Sequence, residues 1–339
     1  MVQDAKRNRF SRRTFMVMAS AFACSGPSLK SAVAATGNLS PVIWKGGALG
    51  AQGVIELYHP DQQAAREALW RCQQEIDRLE ELFSLYRSNS AISRLNRDGF
   101  INDPDIRFLE LVSAAQAFSE QTNGVFDITI QPLWKFYASH FSNQSSRQQQ
   151  RPPKDEIQKI LDRTGYQHMA ISGRGISFKK PGMAITLNGI AQGYITDRIK
   201  LLLEDAGFKN VLLSLGEITT IGPKPDGTAW QVGLERGYGD TAEQAVISLE
   251  NQAVATSGGY ASPFNNSSSA NHLLHPKTGN WSVQEGSVSV VAKEAMIADM
   301  SSTALSLMNR DEQRRFLSAQ KQIQAVYFSS EKDGQNWTA

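Results

Sequence analysis

The chain has 339 residues, 41% of them hydrophobic and 20% charged, with 26 Gly, 12 Pro and two Cys; this excludes a collagen-like repeat, a fully disordered polymer and a disulfide-stapled scaffold. The length suffices for one large core or two modest ones. The formal net charge of +2 is uneven: Lys6, Arg7, Arg9, Arg12, Arg13 and Lys30 face only Asp4 in the first 34 residues, so that stretch carries +5 and the rest −3, with no electrostatic footprint for nucleic acid.

The first expected element is an address label. Ser11-Arg12-Arg13-Thr14-Phe15-Met16 pairs two arginines ahead of the apolar run Phe15–Ala23, and Ala32-Val33-Ala34 offers a small-residue cleavage site. That order reads as a twin-arginine secretory signal over residues 1–34, hence a periplasmic location. The run is too short to span about 30 Å of hydrocarbon, and Cys24 sits in a poor lipoprotein cleavage context. Residues 35–47 read as a linker and 48–339 as the folded domain. With the signal removed, Cys72 is the lone thiol, placed at helical spacing among Leu69, Ile76, Leu79 and Phe83 as a small core residue.

Along the domain, residues 53–58 alternate as a strand and Asp61–Phe83 form a long amphipathic helix. Asp103-Pro104 opens a second helix that stops before Asn123-Gly124. Phe126–Ile130 reads as a strand, 141–153 as a Gln-rich surface loop, 155–163 as a helix and 168–179 as a hairpin. Further strands are expected at 210–215, 230–235, 245–249, 253–256, 287–292 and 324–328, helices at 190–205 and 296–308, and a polar loop at 265–271. Strands with irregularly interspersed helices indicate an α+β fold, a single domain of mixed or antiparallel sheet with packed helices.

Four segments carry candidate chemistry. Thr186–Tyr194 runs from a strand end into a helix, with Asn188 as the expected N-cap and two glycines that permit close ligand approach; an ordinary tight turn has the same pattern. In 296–308, Asp299 and Thr303 are four apart and share a face with Ser302, a carboxylate and hydroxyl suited to a hard cation such as Mg²⁺ or simply to a solvated face. His272 and His275 flank Leu273-Leu274 before Pro276, where strand periodicity points them oppositely; one acid/base histidine fits better than a zinc pair. Ala255-Thr256-Ser257-Gly258 suits close approach only. No GxSxG, HExxH, CxxC or GxGxxG motif is present.

Taken in order, these segments resemble the ApbE family of periplasmic FAD:protein FMN transferases. The resemblance runs from about Ala48 to Met308. It is carried by Ala48-Leu49-Gly50-Ala51, by Phe83-Ser84-Leu85-Tyr86-Arg87 with Ser90–Asn96, and by Phe126-Asp127-Ile128-Thr129 with Pro132-Leu133-Trp134. Asn188–Tyr194 with Asp197, Ala255–Gly258, His272 with Pro276–Gly279, and Ala298-Asp299 with Thr303 complete it. It implies Mg²⁺-dependent transfer of FMN from FAD to a Thr or Ser hydroxyl of a partner protein, releasing AMP. The metal ligands implied are Asp299, Thr303 and the Gly189 carbonyl. The FAD contacts implied are Leu49, Tyr86, Val125, Phe126, Asp127, Thr186, Gln192 and Leu274, although Tyr86 and Phe126 equally suit core packing. His272, with Asp299, is the implied catalytic residue, assisting the acceptor hydroxyl or steadying the phosphate.

The chain departs from the family pattern at Thr186, usually Asp; at Gln192, usually Lys or Glu; and at His275, usually Asp. Leu215-Gly216-Glu217 lacks one glycine of a G-G-E segment. Each lost charge-assisted contact is worth about 1.5–3 kcal/mol. With the signal peptide, these features are similar to the NosX-type branch linked to nitrous-oxide reductase maturation, whose acceptor is a flavoprotein. An FAD pyrophosphatase yielding FMN and AMP, and a non-catalytic flavin-binding maturation factor, are the alternative readings.

Overall fold

A computed structural model describes residues 39–142, 151–235, 243–264, 270–284, 286–329 and 336–338. The expected signal sequence of residues 1–34 and most of the two expected polar loops, 143–150 and 265–269, lie outside the described residues. The elements, in chain order, are β1 (Pro41–Ala48), β2 (Ala51–Tyr58), α1 (Gln62–Phe83), α2 (Ala91–Asp98), β3 (Phe100–Asn102), α3 (Ile106–Gln121), α4 (Gln131–Ser142) and α5 (Lys154–Leu161). They continue with β4 (Met169–Ser172), β5 (Gly175–Phe178), α6 (Ala191–Asp205), β6 (Val211–Ser214), β7 (Ile218–Ile221), β8 (Trp230–Glu235), β9 (Glu243–Leu249) and β10 (Ala253–Gly258). The last are β11 (Ser287–Ala292), α7 (Ala295–Leu305), α8 (Arg310–Ala319), β12 (Ile323–Phe328) and β13 (Asn336–Thr338).

The fold is α+β, organised on one eight-stranded sheet in the order β1-β2-β6-β7-β10-β11-β12-β13. Every neighbouring pair in it is antiparallel. Side-chain alternation decides what covers each face. On β11, Val288, Val290 and Ala292 join the main core with α1, α6 and α7, whereas Val291 faces the other way. There it meets Val232, Leu234, Ile247 and Leu249 of the β8–β9 hairpin. Covered on both sides, β11 is buried along its whole length and reads as a continuous apolar and small-residue run.

Helix α1 matches its expected periodicity. Ala65, Ala68, Leu69, Cys72, Ile76, Leu79 and Phe83 form its buried stripe, and the Asp61 carboxylate accepts hydrogen bonds from the Gln63 and Ala64 N–H groups. Cys72 is a core residue, and burial pushes its thiol up to about 12, so it stays protonated. Helix α3 is capped by Asp105, whose side chain accepts from the Arg107 N–H, and the 168–179 hairpin forms as β4–β5, with β3 added to it.

Three expectations are corrected. Phe126–Ile130 is not a strand: Asp127 folds back to accept from the Thr129 N–H and hydroxyl, opening a 3₁₀ turn at Ile128–Ile130 that leads into α4. That capping overrides the β propensity of an Ile- and Thr-rich stretch, and α4 occupies the start of the expected 141–153 loop. The expected linker contributes the edge strand β1 from Pro41 onward, held by an eight-pair register to β2 and by the Trp44 indole donating to Gln73 Oε1. Asn188 does not cap α6: Ile190 occupies the cap position without a side-chain bond.

Candidate functional site

Helices α6 and α7 cap each other. Asp197, in the second turn of α6, accepts from the Ala295 and Met296 N–H groups at 2.8 Å each, which supplies the N-terminal cap that Glu294 does not provide for α7. In return Asp299, one turn into α7, accepts from the Gly193 N–H at the start of α6 at 3.2 Å. Orphan N–H groups and a positive helix end thereby meet a carboxylate at both termini. Gly193 makes this approach possible, because a Cβ there would stand 2.6 Å from the Ala295 carbonyl oxygen and from Met296 Cα.

The result is a buried carboxylate with an unusual balance. Asp299 is 5% exposed, and burial raises its acid to about 7, the Gly193 hydrogen bond opposing the shift and Asp197 adding to it. Glu217, in the β6–β7 turn, is also buried, and burial together with the neighbouring Asp299 charge holds its carboxyl well above the usual range. Burial likewise lifts Asp197 to about 6. No cationic side chain enters the balance at Asp299.

Thr303 follows Asp299 by one helical turn, and its hydroxyl faces Gly189: a Cβ on Gly189 would lie 3.0 Å from Thr303 Oγ1 and 3.4 Å from the Phe126 ring. The structure thus brings together Asp299, Thr303, Gly189 and Phe126. Gln192 lies in the first turn of α6, its amide against Gly216, next to Glu217. Thr186 joins the cluster along the chain; its N–H donates to the Ile128 carbonyl, and its hydroxyl accepts from Asn188 N–H. Asn96 fixes this segment with a two-pronged clasp on the Ile185 backbone at 2.7 and 2.8 Å.

The other expected contacts are placed differently. Tyr86 stands 87% exposed beyond the end of α1, an open ring and not a core residue. Leu49 adopts a positive φ in the β1–β2 turn and donates its N–H to Glu80, which also pairs with Arg87. Val125 and Phe126 are buried, with the Phe126 ring edge-on to Phe118. Asp127 is committed internally: besides Thr129 it accepts from the Tyr166 N–H at 2.8 Å. Leu274 packs in a second apolar cluster with Leu133 and Tyr137. The His272 Nδ1 is buried without a hydrogen-bond partner, and desolvation lowers its ring to about 4, which leaves it neutral at pH 7.

Sequence reasoning missed Glu217 and Asp197 as parts of the site. Their only signals were the L-G-E turn and the carboxylate three residues after Tyr194.

The donors at the α6–α7 junction are hard oxygens: a carboxylate lacking a cationic partner, a hydroxyl and a backbone segment. They fit a Mg²⁺-like cation, which takes few protein ligands and keeps waters. Among the described residues no group of three His, Cys, Asp or Glu is poised to hold a metal, so a cation here relies on one carboxylate and neutral oxygens.

The ApbE family model matches residues 49–327. The FAD:protein FMN transferase of Vibrio cholerae is 30% identical over 253 residues, covering 70% of this chain and 74% of that protein. The Escherichia coli K12 FAD:protein FMN transferase is 24% identical over 288 residues, covering 82% and 80%. Among solved structures, the apo flavinyl transferase ApbE of Pseudomonas stutzeri matches with a TM-score of 0.74 at 25% identity, over 89% of this chain and 95% of that one. The ApbE protein of Thermotoga maritima gives 0.77 at 26%, over 88% and 97%. The chain belongs to the ApbE family.

Proposed function

We propose that this chain is an FAD:protein FMN transferase that moves FMN from FAD to a Thr or Ser hydroxyl of an exported partner protein, with Mg²⁺ and with release of AMP, in the periplasm. The observation that carries the reading is the junction of α6 and α7, where Asp299 and Thr303, one turn apart on α7, meet the Gly193 N–H and Gly189 respectively. Asp299, Thr303 and the Gly189 carbonyl would hold the cation. Bound there, it supplies charge neutralisation for the FAD diphosphate during phosphoryl transfer.

The chain's own residues account for the rest. The acceptor oxygen forms a bond to the FMN phosphorus while the bridging P–O bond to AMP breaks, and the acceptor hydroxyl loses its proton. His272, neutral and with an unpartnered Nδ1, is the group we assign to assist the acceptor hydroxyl or steady the phosphate. The N-terminus of α6 directs its dipole at the same place as the anionic substrate. Tyr86 offers an open face for stacking a ring of FAD.

The test incubates the protein with FAD, Mg²⁺ and candidate acceptors, beginning with flavoproteins of nitrous-oxide reductase maturation. A covalently fluorescent acceptor band carrying one added FMN by mass spectrometry is expected. AMP release without an acceptor supports a pyrophosphatase instead. Tight FAD binding in EDTA with no AMP formed supports a non-catalytic flavin carrier.

A further inference from the structure

Strand β10 touches the α7 site through Ser257. Ser257 Oγ lies 2.7 Å from Ser302 Oγ and 3.4 Å from Thr303 Oγ1, and Ser302 Oγ lies 3.0 Å from the Asp299 carbonyl oxygen. Each hydroxyl has a single proton to donate. A carbonyl only accepts, so the Ser302 proton is directed at Asp299. Ser257 must then donate to Ser302, and the remaining contact is made only if Thr303 donates to Ser257. One direction satisfies all three contacts: Thr303 to Ser257 to Ser302 to the Asp299 carbonyl.

We propose that Ser257 is a positioning residue that commits the Thr303 proton to β10, so that Thr303 meets its ligand with lone pairs only. A hydroxyl so committed suits a cation; a phosphate oxygen would require the proton. Thr303 Oγ1 also lies beside Gly189, where a Cβ would stand 3.0 Å from it. The chain of hydroxyls also ties the two cation donors of α7 to one another, since it begins at Thr303 and ends on the backbone of Asp299. The inference rests on the reading of Asp299 and Thr303 as cation donors, and it adds Ser257 and Ser302 as the groups that orient them.

The test is calorimetric titration of Mg²⁺, and of Mn²⁺ as a second probe, into the purified full chain without FAD or acceptor. Ser257→Ala should weaken cation binding roughly tenfold, the range found for groups that orient metal ligands, while Ser257→Thr restores most of it. Ser302→Ala breaks the same chain from the other end, and the double variant should be no weaker than the worse single one. Melting temperatures in EDTA should stay near the parent's for these variants, which separates positioning from a general loss of structure. In turnover, the Mg²⁺ requirement should rise with kcat at saturating Mg²⁺ retained. Unchanged cation affinity in both Ser257→Ala and Ser302→Ala, with Asp299→Ala no longer binding, overturns the proposal and leaves the cation site standing. Unchanged affinity in Asp299→Ala overturns the cation reading itself.

Discussion

Replacing Asp299 by Asn should make the metal-free protein more stable while abolishing its response to Mg²⁺. The carboxyl titrates near 3.8 in an unfolded chain and at about 7 in the fold, mainly because burial disfavours the charge. Between those two values the native state holds a proton that the unfolded state has lost, so stability falls as pH rises from about 4 to about 7 and is then flat. At roughly 1.4 kcal/mol per tenfold change in acidity, the ionised group costs the metal-free fold on the order of 4 kcal/mol above pH 7. Asn keeps an acceptor for the Gly193 N–H, but its buried amide donors bring back about 1–3 kcal/mol of desolvation. The net expectation at pH 8 in EDTA is a gain of about 1–3 kcal/mol, or roughly 2–6 °C in melting temperature. Mg²⁺ should raise the melting temperature of the parent protein and leave the variant unmoved. Thermal melts at pH 4, 6 and 8, with EDTA and with Mg²⁺, measure all of this. A variant that melts below the parent at pH 8 in EDTA and still responds to Mg²⁺ refutes the reasoning.

Gly193→Ala inserts a Cβ 2.6 Å from the backbone of Ala295 and Met296; overpacking of about 1–3 kcal/mol should outweigh the helix-propensity gain of about 1 kcal/mol, and weaker Mg²⁺ binding by calorimetry should accompany the lower melting temperature. Asn96→Ala removes both hydrogen bonds to Ile185 and should destabilise by about 2–3 kcal/mol in urea titrations, with FAD affinity reduced because the segment leading to Thr186 and Gly189 loses its anchor. Tyr86→Ala removes an exposed ring that supports no core, so stability should change by less than about 0.5 kcal/mol while the KM for FAD rises; a loss of melting temperature would return Tyr86 to a packing role.

Periodicity made the long elements legible. The apolar stripe of α1, the strands β8, β10 and β11, and the pairing of Asp299 with Thr303 one turn apart on α7 all follow from spacing alone. The departures have local causes that spacing does not encode. Residues 126–130 have strand composition, yet one carboxylate satisfies Thr129 and the distant Tyr166 together and turns the chain into α4. Residues 41–48 contain two adjacent glycines that weaken any strand signal; the Trp44 ring lies against Gly46 and Gly53 and supplies the packing that the glycines lack. Reciprocal capping was invisible for another reason. Its bonds join Asp197 to residues 98 and 99 positions away, and Asp299 to one 106 positions away, so no local window contains both partners.

The charge distribution bears on how such a site works. Beyond residue 34 the chain carries −3, and at the α6–α7 junction two carboxylates, Asp299 and Glu217, are buried as neighbours without a cationic side chain. Gln192, in the first turn of α6, is neutral and adds no charge. An anionic diphosphate approaching this junction would meet no cationic side chain, only the N-terminal dipole of α6. With Glu217 held protonated by burial, a divalent cation on the ionised Asp299 would turn the cost of that buried charge into affinity and leave one net positive charge for the phosphates. On this reasoning cation and FAD bind with positive coupling, and FAD affinity measured by fluorescence should rise when Mg²⁺ is added. The same increase in Mg²⁺ affinity should follow when FAD is added, because coupling between two sites is reciprocal. FAD affinity indifferent to Mg²⁺ would mean that the diphosphate lies away from Asp299, and the electrostatic argument for the site would fail.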